Sequence, residues 1–165
     1  MTERTGNALL MFPPDVFQML LDHEVSKSQR YGDSLTLVEL LFEADPAHPE
    51  SRGDAELFVI EVLTHQLREA DIPCALADRF RILMPATSTP GARTACERVR
   101  RFLHPENGAP VALSVFMGMA SMPMDHSISG DELIQHASLA LKHAHTNRLS
   151  SVVAFSDIPD ATPEA

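Results

Sequence analysis

The chain is poor in several things at once, and each shortage removes a class of function. It has two cysteines, Cys74 and Cys96, with no paired spacing, which argues against a disulfide scaffold or a zinc ribbon and fits a reducing compartment. Basic residues are scarce: 13 Lys and Arg against 23 Asp and Glu, for a formal net charge of −10. That balance excludes a nucleic-acid backbone as ligand, which needs a basic stripe, although two or three local arginines can still hold a small anion. No apolar run approaches the roughly 20 residues needed to span a bilayer, and the start of the chain lacks the pattern of a cleaved leader. The expectation is a cytoplasmic protein with no membrane insertion and no nucleic-acid partner. Glycine-rich phosphate loops, nucleophile elbows and cysteine–histidine pairs are also missing.

What is present is enough apolar sequence, 44% of 165 residues, for one domain with a core. After Pro13-Pro14, the stretch 15–32 reads as a helix with Asp15 as cap, Phe17, Leu20, Leu21 and Val25 on its inner face, and Gly32 as its stop. Residues 34–42 are apolar at nearly every position, as in a strand covered on both faces. A polar, proline-containing loop follows, then a helix from about Asp54 to Ala70 with Leu57, Ile60, Leu63 and Leu67 at helical spacing. Two short strands at 72–77 and 79–85 form a hairpin centred near Ala77-Asp78. Pro90-Gly91 introduces a helix with Ala95, Val99 and Phe102 on one side. A strand over 110–120 precedes a helix capped by Ser129 or Asp131, with Leu133, Ala137, Ala140, Leu141 and Ala144 facing inward. Residues 150–155 close as a strand. This order implies an α/β fold with a mixed central sheet of about five strands flanked by helices. The domain runs over 12–156, between an N-terminal arm at 1–11 and an acidic, disordered tail at 157–165.

Metal-ligand patterns are weak. His136 and His143 share a face of the last helix but are seven apart, where a helical metal pair wants i, i+4; His145 lies beside them. Met117 and Met119 should point into the core, with Met122 and Met124 in the turn around Pro123. The expectation is no metal and no cofactor.

At the hairpin the sequence becomes specific. The stretch LREADIPCALADRFRILMPAT resembles the part of GGDEF (diguanylate cyclase-like) domains that runs from an Arg-x-x-Asp pair, through a Gly-Gly-Asp/Glu-Glu-Phe hairpin, to a strand ending in Met/Leu-Pro-Gly-Thr. SKSQRYGDSLTLVELLF, GDAELFVIEVLTHQLR, ACERVRRFL and ELIQHASLALKHAHTNRLSSVVAF resemble, in order, the family's other helices and strands. The resemblance covers about residues 12–156 and implies a nucleotide-cyclase-like fold. Members of the family condense two GTP molecules into cyclic di-GMP using metal ions held by carboxylates.

The same resemblance implies that this active site is vestigial. The signature reads Leu76-Ala77-Asp78-Arg79-Phe80, with both glycines replaced. The partner metal carboxylate falls on Leu41, which has no lone pair for Mg²⁺; Glu39 and Glu43 lie two residues to either side. Asp54 sits where a guanine-binding aspartate is usual, and caps its helix on the plainer reading. His145 stands in place of a phosphate-holding lysine, with Arg148 nearby. The resemblance therefore implies a non-enzymatic signalling module. A regulatory site of the family maps onto Arg68, Asp71 and Arg98, where guanidinium groups would grip phosphate or guanine and the carboxylate would accept from guanine N–H groups. The plainer reading is that Arg68 and Asp71 pair at a helix end. Expected partners are cyclic di-GMP, or, on the alternative, another protein or a second copy of the chain with no nucleotide.

Overall fold

The computed structural model describes residues 11–44, 46–47, 52–104 and 112–159. Most of the predicted arm, part of the polar loop and residues 160–165 of the tail lie outside these. The elements are α1 (Pro14–Tyr31), β1 (Leu35–Ala44), α2 (Arg52–Gln66), β2 (Ile72–Ala75), β3 (Phe80–Pro85), α3 (Thr89–Phe102), β4 (Leu113–Ser121), α4 (Gly130–Thr146) and β5 (Val153–Ala154), followed by a 3-10 turn at Phe155–Asp157. The predicted order is observed.

The five-stranded sheet runs β2-β3-β1-β4-β5. Only β4 and β5 are parallel; β1 lies between β3 and β4, antiparallel to both. Because a strand alternates its side chains, β1 feeds two cores. Leu35 and Leu37 pack with Phe17 and Leu21 of α1 and Leu133 and Ala137 of α4. Val38, Leu40 and Phe42 pack on the other face, with Val59 and Leu63 of α2 and Cys96 and Val99 of α3. Full burial of a leucine such as Leu37 or Leu40 contributes about 1.5–3 kcal/mol.

Local chemistry explains the boundaries. Gly32 takes φ 75° and ends α1 with its N–H on the Ser28 carbonyl. Pro13 is the N-cap of α1 and Pro14 its first residue, so Asp15 is in the first turn rather than the cap. Ser129 caps α4 in a reciprocal box with Glu132. The inner face predicted for α4 is buried throughout.

Other expectations need correction as well. Leu57 is 66% exposed, because α2 turns Ala55, Val59, Val62 and Leu63 inward. Phe102 is also exposed, since Ala92, Cys96 and Val99 form the inner face of α3. Asp157, assigned to the disordered tail, is in the 3-10 turn with its carboxylate 2.8 Å from Arg93.

Helix α4 crosses β4 at unusually close range. A Cβ built on Gly118 falls 2.1 Å from the Leu141 backbone nitrogen, so only glycine allows this approach. Gly118 is the register partner of Glu39 on β1. The sheet edges are short. On one, β2 contains Pro73, whose carbonyl accepts from Phe12 N–H; on the other, β5 is two residues long.

Candidate functional site

The β2–β3 hairpin is tight. Ala75 and Phe80 form its last strand pair, and Leu76 N–H donates to the Arg79 carbonyl at 2.8 Å, leaving Ala77-Asp78 as the central residues. Among the described residues, the only non-glycines at positive φ are Ala86 and Arg148. The hairpin thus closes with negative φ, a turn that alanine and aspartate adopt without strain. Leu76 packs against the core cluster beneath α1.

Arg79 lies across the space between two carboxylates. Its Nη2 is 3.1 Å from Asp78 Oδ2, and its Nη1 is 2.7 Å from Glu39 Oε1. The hydrogen-bonded guanidinium holds Asp78 below the usual carboxylate range. Glu39 is fully buried. It also accepts from Ser138 Oγ at 2.8 Å and from Arg81 Nε at 2.7 Å, Arg81 being its cross-strand partner on β3. A buried carboxylate needs such compensation, since desolvation of an unpaired charge costs several kcal/mol.

Farther along the same face of β1, Glu43 takes His145 Nε2 at 2.7 Å and Arg148 Nη1 at 3.0 Å. The hydrogen bond from His145, with Arg148 beside it, lowers the Glu43 pKa. Phe116 backs this group: the His145 ring meets it edge-on at 5.0 Å, and the Arg148 guanidinium lies 4.6 Å above it. Between the two ionic groups, Leu41, Leu139, Ile134 and Lys142 help line a cleft of about 600 Å³.

These residues do not fit a divalent cation. Leu41 offers no donor, and a dication bridging Asp78 and Glu39 would stand against the Arg79 guanidinium that already joins them. Among the described residues, no group of three or more His, Cys, Asp and Glu side chains is placed to hold a metal. His136 stacks on Phe155 instead, and the His143 carbonyl accepts from Asn147.

The second constellation sits beyond α2, which stops at Gln66 rather than continuing to Ala70. Arg68 to Asp71 form a turn closed by Asp71 N–H on the Arg68 carbonyl at 3.0 Å. Asp71 Oδ2 accepts from Arg68 N–H at 2.8 Å and Oδ1 from Arg68 Nη2 at 3.1 Å. The pair is therefore part of a turn and not of a helical surface: the Asp71 side chain is 2% exposed, that of Arg68 53%. The same Nη2 contacts the Pro85 carbonyl and Thr87 Oγ1. Arg98 reaches over from α3 to donate to the Gln66 carbonyl at 2.8 Å. Arg68 and Asp71 are thus in contact, and Arg98 is anchored on the chain two residues before Arg68. Asp54 is exposed in the first turn of α2, two residues inside the helix start and so not its cap.

No family model matches this sequence, and neither does any curated protein. Solved structures do match its shape. The GGDEF domain of DgcB from Caulobacter crescentus, solved with cyclic di-GMP, superposes with a TM-score of 0.76 over 89% of this chain and 92% of its own, at 15% identity. The chain has the fold of a GGDEF domain. A GGDEF domain of TpbB (YfiN) from Pseudomonas aeruginosa gives 0.72 at 18% identity, covering 87% and 90% of the two chains. The diguanylate cyclase SiaD from the same organism, solved with its activator SiaC, gives 0.75 at 18% identity, covering 93% of this chain and 64% of its own.

In this fold residues 76–80 occupy a hairpin that closes without glycine. Sequence reasoning missed Arg81 and Ser138, and named Glu39 and Glu43 only by their place beside Leu41. The available signal was the pattern on β1 and β3: two glutamates on one face of an otherwise apolar strand, and arginines at 79 and 81.

Proposed function

We propose that this chain is a signalling module of GGDEF fold without cyclase activity. The observation that supports this reading is Arg79, a side chain of the hairpin itself, which donates to both Asp78 and Glu39. The carboxylates nearest the cleft are engaged in protein ion pairs, and leucine stands between Glu39 and Glu43. Incubation of the purified protein with GTP and Mg²⁺ or Mn²⁺, followed by chromatography of the nucleotides, should yield no cyclic di-GMP. Turnover abolished by Asp78→Ala would overturn the proposal.

One observation favours a receptor role within that reading. Arg68 presents a half-exposed guanidinium, and Arg98 is anchored two residues away along the chain, at Gln66. Two such groups suit the phosphates of cyclic di-GMP, the ligand bound in the DgcB structure. Asp71, buried with both oxygens engaged, would hold the turn while the arginines make the contacts. Calorimetric titration with cyclic di-GMP, repeated on Arg68→Ala, tests this. Micromolar binding lost in the variant supports a receptor. Absence of binding removes that role and leaves a module working through protein contacts, as SiaD is bound by SiaC.

A further inference from the structure

A second cavity, of about 680 Å³, shares no lining residue with the Arg79 cleft and none with the Arg68 turn. It opens where β4 ends, between the β4–α4 connection and the turn Phe155–Asp157. Its volume is that of a small-molecule site. The accessible apolar surface comes from Met124, Pro123 and Phe155, over a floor of the buried Met119, Ala120, Met122 and Ile128. The His136 ring lies flat against Phe155, with centroids 4.0 Å apart and planes within 2°. Thioether side chains beside aromatic rings make an adaptable, polarizable lining that suits a flat ring.

The polar edge has a definite hydrogen-bonding sense. Thr36 spends its one hydroxyl proton on the Thr87 carbonyl at 2.7 Å. In the Thr36–Ser121 contact, also 2.7 Å, Ser121 must then donate. Its proton spent, Ser121 receives the proton of Thr89 at 2.7 Å. Ser121 and Thr89, both in the cavity wall, therefore offer lone pairs and no proton. Glu132 uses Oε1 in the capping box, leaving Oε2 as a charged acceptor. None of the described lining residues is Lys or Arg, and His126 at the mouth has its ring 2.8 Å from the Asp125 carboxylate.

We propose that this cavity binds a flat aromatic ligand carrying N–H donors and a positive charge, an arylalkylamine in chemical class, and that it rejects nucleotides and other anions. The acceptor-only hydroxyls and the Glu132 carboxylate select donors, and the methionines take the ring. The protein's net charge of −10 favours approach of a cation.

The test is methyl NMR on protein labelled at its methionine methyls, titrated with tryptamine and, in parallel, with indole-3-acetate as the anion of matching ring. Tryptamine should shift the Met119, Met122 and Met124 signals saturably and leave that of Met19 on α1 in place. Ser127→Trp, which puts bulk on the exposed lip of the cavity, should abolish the shifts. Glu132→Gln, which keeps the helix cap but removes the charge, should weaken tryptamine binding about fivefold. Tryptamine giving no saturable shift by about 10 mM, indole-3-acetate binding equally well, or cyclic di-GMP shifting the same methyls would each overturn the assignment.

Discussion

Replacing Glu39 with glutamine removes a buried negative charge that receives hydrogen bonds from Arg79, Arg81 and Ser138. The amide retains shape and one acceptor oxygen, so packing is preserved and the change is mainly electrostatic. Arg79 and Arg81 then lose their shared counter-charge, and Arg79 keeps Asp78 on its exposed side. Breaking a buried ion pair from one side costs about 3–5 kcal/mol. The lower end applies, because the Arg79 and Arg81 side chains keep 24% and 19% exposure and can recover some hydration. A loss of about 3 kcal/mol in a domain of this size corresponds to a fall in Tm of about 6–12 °C. With no tryptophan in the chain, urea unfolding is best followed by far-UV circular dichroism, where the midpoint should drop at unchanged slope. Arg79→Ala in the Glu39→Gln background should cost less than in the parent, with a coupling of about 1–2 kcal/mol. A Glu39→Gln variant within about 0.5 kcal/mol of the parent would refute the reasoning. So would stabilisation of the parent, but not the variant, by millimolar Mg²⁺, because Glu39 would then be a metal ligand.

Other predictions follow from the packing and titration chemistry. Gly118→Ala must push α4 off β4, because the obstacle is the Leu141 backbone and not a movable side chain; a loss of about 3 kcal/mol is expected in thermal melts, and a Tm within about 1 °C of the parent would contradict it. Burial holds the His136 imidazole below its ordinary pKa, so the unfolded chain binds that proton more readily. Folded-state stability should accordingly decline as pH falls below about 6.5 and through the lower folded value. His136→Phe, which keeps a ring on Phe155, should show a shallower decline in Tm between pH 7 and pH 5; an unchanged slope would remove His136 from the account.

The order of elements was legible because β1 and α4 are unambiguous: one is apolar on both faces, and the other carries a single small-residue stripe with a capping box. Helix α2 was harder. Its apolar residues surround much of the cylinder, so the predicted stripe beginning at Leu57 competed with the true one through Ala55, Val59, Val62 and Leu63. Its end was misplaced because Asp71 closes a separate turn onto Arg68 N–H, and nothing in the local periodicity marks that bond. The pairing of Arg68 with Asp71 was legible, but the burial of Asp71 was not. The ionic groups were invisible for a simpler reason. Arg79 and Glu39 are 40 residues apart, and Ser138 and Glu39 are 99 apart. Only the register of β1 against β3 and the approach permitted by Gly118 bring them together.

The ends of the sheet bear on how this module can assemble. An exposed strand edge offers a row of free N–H and C=O groups to another chain. Here one edge has four residues, including a proline with no N–H to give and a carbonyl already taken by Phe12, and the other edge has two. Ladder-by-ladder growth into larger sheets has almost no template to extend. Among the described residues a partner finds side chains on the helices rather than a free strand edge, and substitutions there can change its contacts without touching the sheet. The fold can therefore remain constant while its associations change.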